Sequence, residues 1–177
     1  MKPPSFTYYA PPTLNEALAL LNQHGSDAKI LAGGQSLVPM MNFRVAQPTM
    51  LIDINRIKEL AYIKDDSNGV RIGAMTRQRA IERDSIIAKR TPLLHETVPH
   101  IAHPQIRNRG TIGGSVAHAD PAAELPTIML TLNAKLLAKS QKGECWIDTK
   151  DFFVGLFTTA LEPNEILAEI QIPDLPA

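Results

Sequence analysis

The chain has 177 residues, 18 Lys and Arg against 18 Asp and Glu, 44% hydrophobic residues and a single cysteine. That length holds one ordinary domain or two small lobes with a packed core, and a net charge of zero argues against a nucleic-acid groove or a polybasic membrane patch. Cys145, alone, makes neither an internal disulfide nor a zinc or iron–sulfur ligand set, and it fits a reducing cytoplasm.

In chain order, Met1-Lys2-Pro3-Pro4-Ser5 lacks the apolar stretch of a signal peptide. Thr13 and Glu16 stand in capping-box spacing, and Leu14, Ala17, Leu18 and Leu21 share one helical face that Gly25 closes. Residues 29–32 predict a short strand running into Gly33-Gly34, residues 37–43 a turn of helix, and residues 50–53 a second buried strand. Residues 62–65 and 70–73 flank Asn68-Gly69, a strong hairpin signal. From Thr76 to about His103 the pattern is helical, cut into short pieces by Pro92 and Pro99. Residues 111–115 predict a glycine-containing connection, 125–132 a helix, and 134–139, 144–147 and 166–172 strands, with a turn at Lys142-Gly143. The apolar stretch over 125–138 is broken by Pro126, Asn133 and Lys135, and no segment reaches the roughly 18 continuous apolar residues of a membrane helix. A helix and parallel-type strands followed by hairpin-rich strands predict an α+β chain in two lobes, with a break near Arg56. The expected location is cytoplasmic.

The sharpest motif is Ala32-Gly33-Gly34-Gln35-Ser36-Leu37, directly after an apolar strand. Paired glycines allow a tight turn and let backbone N–H groups approach an anion, and Ser36 adds a hydroxyl. A simple strand-to-helix turn is the structural alternative. The second motif, Arg107-Asn108-Arg109-Gly110-Thr111-Ile112-Gly113-Gly114-Ser115, repeats that chemistry, so two backbone nests could hold the two anionic groups of a pyrophosphate. Its alternative is a bulge where strands cross closely. Valine at Gly33 or Gly113 is then expected to weaken ligand binding and leave expression largely intact if the loops are exposed, whereas loss of folding would mean that the glycines serve packing. No lysine follows either pair in P-loop fashion and no G-x-G-x-x-G occurs, which disfavours Walker and Rossmann sites. Asp120 and Glu124 suit either ribose hydroxyls or the first turn of the next helix. His100, His103 and His118 match no common metal spacing and predict loop and capping positions. Arg107 and Arg109 predict helix-end charges, with a docking role as the alternative.

Together these motifs resemble the FAD-binding medium subunit of the molybdenum hydroxylases, the xanthine dehydrogenase and carbon monoxide dehydrogenase family. The resemblance rests on residues 32–41, 51–55 and 72–76, on the long run 106–126 and on the closing 165–173. It implies a two-lobed α+β FAD-binding fold of the vanillyl-alcohol-oxidase type. Residues 1–177 would form one FAD-binding domain, about 1–55 as the N-terminal lobe with the first glycine loop and about 56–177 as the second lobe with the second. The family's C-terminal domain is expected to be missing, because the sequence stops at Ala177. By motif position, the cofactor-binding residues would be Ile30, Leu31, Ala32, Gly33, Gly34, Gln35, Ser36 and Leu37, then Thr111, Ile112, Gly113, Gly114 and Ser115, the two glycine loops holding the pyrophosphate. Glu124 would contact the FAD ribose, Asp120 is a second polar candidate, and Ile101 and Leu167 would pack near the flavin. Position 35 is Gln where covalent oxidases of the wider fold often carry a flavin-linked His, so FAD is expected to be non-covalent.

The chain shows no acid–base pair, activated nucleophile or metal ligand set of its own. The resemblance therefore implies an electron-transfer role. FAD would take electrons from a 2Fe-2S cluster of a small iron–sulfur subunit and deliver them to an external acceptor, while molybdopterin sits in a large molybdenum subunit. The alternatives are a stand-alone flavoprotein oxidase of the same fold and a non-catalytic interaction module.

Overall fold

The structure, a computed structural model, describes residues 1–174; Leu175, Pro176 and Ala177 lie outside the described residues. The first sheet is parallel. β1 (Thr7–Tyr9) leads into α1 (Leu14–His24), β2 (Ala28–Leu31), α2 (Leu37–Asn42) and β3 (Met50–Asp53), and the strands lie in the order β1-β3-β2. Thr13 caps α1 as its spacing predicts, its Oγ1 accepting the Glu16 N–H at 3.3 Å, and Gly25 closes the helix at φ 51°. Leu14, Ala17, Leu18 and Leu21 are buried with Ile52 and Ile54 in a smaller core that also draws on Leu60, Met75, Ile166 and Ala168. β2 ends one residue before the predicted 29–32, because the Ala32 carbonyl accepts from the Asn55 side chain at 2.8 Å instead of a strand neighbour.

The second sheet is antiparallel. β4 (Ile63–Asp66) and β5 (Gly69–Gly73) form the hairpin, and six short helices follow: α3 (Gln78–Arg83), α4 (Ser85–Arg90), α5 (Pro92–Thr97), α6 (Pro104–Arg107), α7 (Ile112–His118) and α8 (Glu124–Thr131). β6 (Lys135–Ser140), β7 (Gly143–Asp148), α9 (Thr149–Phe152), the small pair β8 (Phe153–Gly155) and β9 (Thr158–Thr159), and β10 (Ile166–Ile172) complete the described chain. The strand order is β4-β5-β10-β6-β7. β10 is buried on both faces: Leu167, Ile170 and Ile172 join the larger core under the helices, while Ile166 and Ala168 join the smaller one. One strand thereby couples both cores, with a register shift between Leu167 and Glu169.

Three expectations change. The hairpin turn sits at Ser67-Asn68, because Asp66 pairs with Gly69 and its Oδ1 accepts the Asn68 N–H at 3.1 Å. Residues 111–115 are not a loop but the cap and first turn of α7, with Thr111 Oγ1 accepting the Gly114 N–H at 3.1 Å. Arg107 ends α6, the helix-end charge the sequence predicts, but the docking alternative fails. The residue is buried, and its guanidinium donates to the carbonyls of Ile101 (2.9 Å) and Ala102 (3.3 Å) and to Glu82 (2.9 Å). It holds the turn in which Ala102 takes φ 42°, which places Ile101.

Burial pushes the Glu82 carboxyl upward, but hydrogen bonds from Arg79 and Arg107 outweigh it and hold the group below its ordinary value. A lowered folded-state value adds stability that is complete above the ordinary glutamate range and is lost as pH falls through the lowered one. Glu82→Gln should therefore reduce the urea midpoint at neutral pH, with the gap to the wild type closing as the pH falls below the ordinary glutamate range, a comparison read by urea melts across that range.

Candidate cofactor-binding cleft

A cleft of about 880 Å³ runs between the β2–α2 side of the parallel sheet and the elements α7, α8, β9 and β10. Its walls include both glycine segments, which meet directly. A Cβ on Gly33 would lie 2.5 Å from the Arg109 carbonyl oxygen and 2.8 Å from the Gly110 Cα, so only glycine permits the two backbones to touch there. Gly34 follows at φ 73°, a left-handed conformation that turns the chain out of β2 and into α2.

The two segments differ in what they offer. The N–H groups of Gly33, Gly34, Gln35, Ser36 and Leu37 have no acceptor among the described residues, while the Gln35 side chain folds back onto the Gly33 carbonyl at 3.0 Å. This is a row of unsatisfied donors facing a cleft, the chemistry that receives an anion. In the second segment every backbone donor but the Thr111 N–H is already used. Ile112 N–H bonds the Thr76 carbonyl (3.1 Å), Gly113 N–H the Ala74 carbonyl (2.9 Å), and Ser115 N–H the Thr111 carbonyl (3.2 Å), beside the Gly114 bond to Thr111 Oγ1. The second segment is a packed wall that contributes shape and the hydroxyls of Thr111 and Ser115. A Cβ on Gly113 would lie 2.7 Å from the Ala74 carbonyl oxygen and 2.8 Å from its Cα, so this glycine lets α7 seat on the end of β5.

Of the residues singled out from the sequence, all but Leu31 and Ile112 line the cleft. Ile112 is fully buried in the larger core, and Leu31 completes the pairing of β2 with β3. Ile101 and Leu167 belong to the larger core and also reach the wall. Glu124 opens α8, and Asp120 steadies the turn before it by accepting the Ala122 N–H at 2.9 Å. His100 and His103 are exposed, and His118 closes α7. Among the described residues no group of three or more His, Cys, Asp and Glu side chains converges as a metal site would.

Two lining residues escape sequence reasoning. Gln78 is 4% exposed, its N–H bonds the Gly110 carbonyl at 2.9 Å, and its Oε1 has no partner among the described residues. A lone polar residue opening a helix carries no signal of this. Phe157 stands exposed at the cleft with φ 54°, its ring 5.3 Å from that of His118 and its N–H bonded to the Ala119 carbonyl. Its hairpin is too short to show periodicity.

A family model described as the FAD binding domain in molybdopterin dehydrogenase matches residues 4–175. The chain belongs to this family. It is 49% identical over 176 residues to the 6-hydroxypseudooxynicotine dehydrogenase complex subunit alpha of Paenarthrobacter nicotinovorans, covering 99% of this chain and 60% of that one. Carbon monoxide dehydrogenase from Hydrogenophaga pseudoflava superposes with a TM-score of 0.97 at 47% identity, over 100% of this chain and 62% of that one. Quinoline 2-oxidoreductase from Pseudomonas putida 86 gives 0.96 at 41%, over 100% and 61%. The chain thus spans about three fifths of the length of these relatives. The fold is the mixed helix-and-sheet FAD-binding domain that the resemblance implied, and the domain's cofactor is FAD. The cleft fits such a group. Its volume lies within the roughly 300–1,000 Å³ of small-molecule sites, it has free donors for phosphate oxygens, and it has Asp120, Glu124 and the unpartnered Gln78 Oε1 for hydroxyls.

The condition under which valine at Gly33 or Gly113 would leave expression intact, exposed loops, is not met. Both are buried at backbone contacts. Gly113→Ala should lower the stability of the FAD-free chain by about 1–3 kcal/mol, the ordinary cost of overpacking, measured by urea denaturation. An unchanged midpoint with weakened FAD binding would return the glycine to a purely ligand-facing role.

Proposed function

We propose that this chain is the FAD-binding part of the medium subunit of a molybdenum-containing hydroxylase or dehydrogenase. It would pass electrons from the 2Fe-2S cluster of a small iron–sulfur subunit to an external acceptor, with molybdopterin held by a large subunit. The observation that carries the proposal is the row of unbonded N–H groups at Gly33–Leu37 facing Thr111, Ser115, Asp120 and Glu124 across one cleft, in a chain of this family. The first segment would hold the pyrophosphate by its backbone donors, Thr111 and Ser115 would add hydroxyls, Glu124 and Asp120 would take ribose hydroxyls, and Ile101 and Leu167 would pack by the rings. When bound, FAD supplies the two-electron acceptor and donor that no side chain of this protein provides. Gln35 offers no nucleophile for a covalent link, which supports a non-covalent cofactor.

The division at about residue 55 is part of the same proposal: the parallel sheet carries the first glycine segment and the antiparallel sheet with its helices carries the second. A cytoplasmic setting is supported by the unpaired, exposed Cys145. No helix among the described residues is long and apolar enough to cross a membrane.

The test is flavin reduction. The FAD-loaded chain should keep its flavin oxidised in the presence of hydroxylation substrate and reduce it once the iron–sulfur and molybdenum subunits of the same host are added, followed by bleaching of the flavin absorbance. Steady turnover by the chain alone would instead favour a stand-alone oxidase, and no FAD binding at high micromolar concentration would favour an interaction module.

A further inference from the structure

Two side chains outside the cleft connect its glycine segments. Asn55, just beyond β3, lies with its carboxamide between the two: Nδ2 donates to the Ala32 carbonyl (2.8 Å) and to Asp53 Oδ1 (2.6 Å), while Oδ1 accepts from Arg77 Nη2 at 2.6 Å. The Asn55 N–H also bonds Asp53 Oδ1 at 2.8 Å, and Asp53 is fixed from its other oxygen by the Tyr8 hydroxyl at 2.5 Å. The other end of the Arg77 guanidinium donates through Nη1 to the Arg109 carbonyl, the oxygen against which Gly33 packs. The backbone around Arg77 holds the second segment as well: Arg77 bridges Thr111, Thr76 accepts the Ile112 N–H, and Gln78 donates to Gly110. Neither Arg77 nor Asn55 lines the cleft.

We propose that Arg77 and Asn55 are positioning residues for FAD, a polar clasp that fixes the first glycine segment against the second and so sets the aim of the free donors at 33–37. The proposal rests on the cleft being the FAD site. The warrant is connectivity. Ala32 precedes the unbonded N–H row, its carbonyl has the Asn55 amide as partner, and that amide is oriented by Arg77 at one end and Asp53 at the other. A planar guanidinium reaches two acceptors in fixed directions, which an ammonium does not do. Burial, and then the nearby Arg109, lower the Arg77 value from its ordinary one, a cost the clasp bonds offset.

The experiment titrates FAD into the FAD-free full chain carrying Arg77→Met, Arg77→Lys, Asn55→Ala and the Met/Ala double substitution. It records Kd, the visible circular dichroism of the bound flavin and the melting midpoint of the FAD-free protein. Arg77→Met and Asn55→Ala should each raise Kd about tenfold or more, the size of one lost charged hydrogen bond, and change the flavin signal. Arg77→Lys should recover part of the affinity, and the double substitution should cost little more than the worse single one, because both break one clasp. If Arg77→Met does not fold, Asn55→Ala carries the same test. Wild-type affinity in both single variants, losses that add in full, or full recovery by lysine would overturn the clasp while leaving the FAD site standing. Failure of the wild-type chain to bind FAD would overturn both.

Discussion

The backbone of Gly33 lies against the carbonyl of Arg109 and the Cα of Gly110 with no side chain between them. That contact joins the two parts of the chain at the cleft, and much of the architecture serves to bring it about. The parallel sheet aims β2 so that the chain leaves it at Ala32, and Gly34 turns it away at once into α2. On the other side, Gly113 lets α7 settle on the end of β5, which places Gly110 and Thr111 at the same boundary. Had either glycine a side chain, the walls would separate by the thickness of a methyl group, and the donors at 33–37 would face solvent instead of a wall.

The energetic supports lie away from the cleft. β10, buried on both faces, contributes to the larger core through Ile170 and Ile172 and to the smaller one through Ile166 and Ala168, so the two cores are coupled by apolar burial. Arg107, paired with Glu82 and bonded to two carbonyls, fixes the turn that carries Ile101 to the wall. These groups are costly to bury alone and are satisfied only in this arrangement, which gives the walls a defined geometry in the absence of ligand.

Local signals were legible in the sequence where chemistry acts over a few residues. Thr13 and Glu16 mark the start of α1, Pro92 opens a helix, and the apolar residues 50–53 and 166–172 are strands with those bounds. Both glycine pairs were visible, and residues 30 and 32–37 do meet 111 and 113–115 at one cleft. What the pairs do there was not visible. The sequence shows two similar motifs, yet one has open donors and the other has all but the Thr111 N–H spent on Thr76, Ala74 and Thr111, partners set by tertiary packing. The same reason hides the burial of Arg107 and its bonds to the carbonyls of Ile101 and Ala102, and Gln78, whose Oε1 lies buried beside Gly110 without a partner among the described residues. β1 and the β8–β9 pair are too short for periodicity to reveal, and their partners define them.

One glycine segment is an open row of donors, and the other is a wall whose donors, Thr111 N–H apart, are bonded. Hydrogen exchange on the chain with and without FAD tests this division at the level of single amides. Without FAD, the amides of Ile112 and Gly113 should exchange slowly and those of residues 33–37 fast; on adding FAD the second group should become protected while the first changes little. Protection at 33–37 before FAD is added, or protection that appears at 112–113 alone, would contradict this division between the two segments.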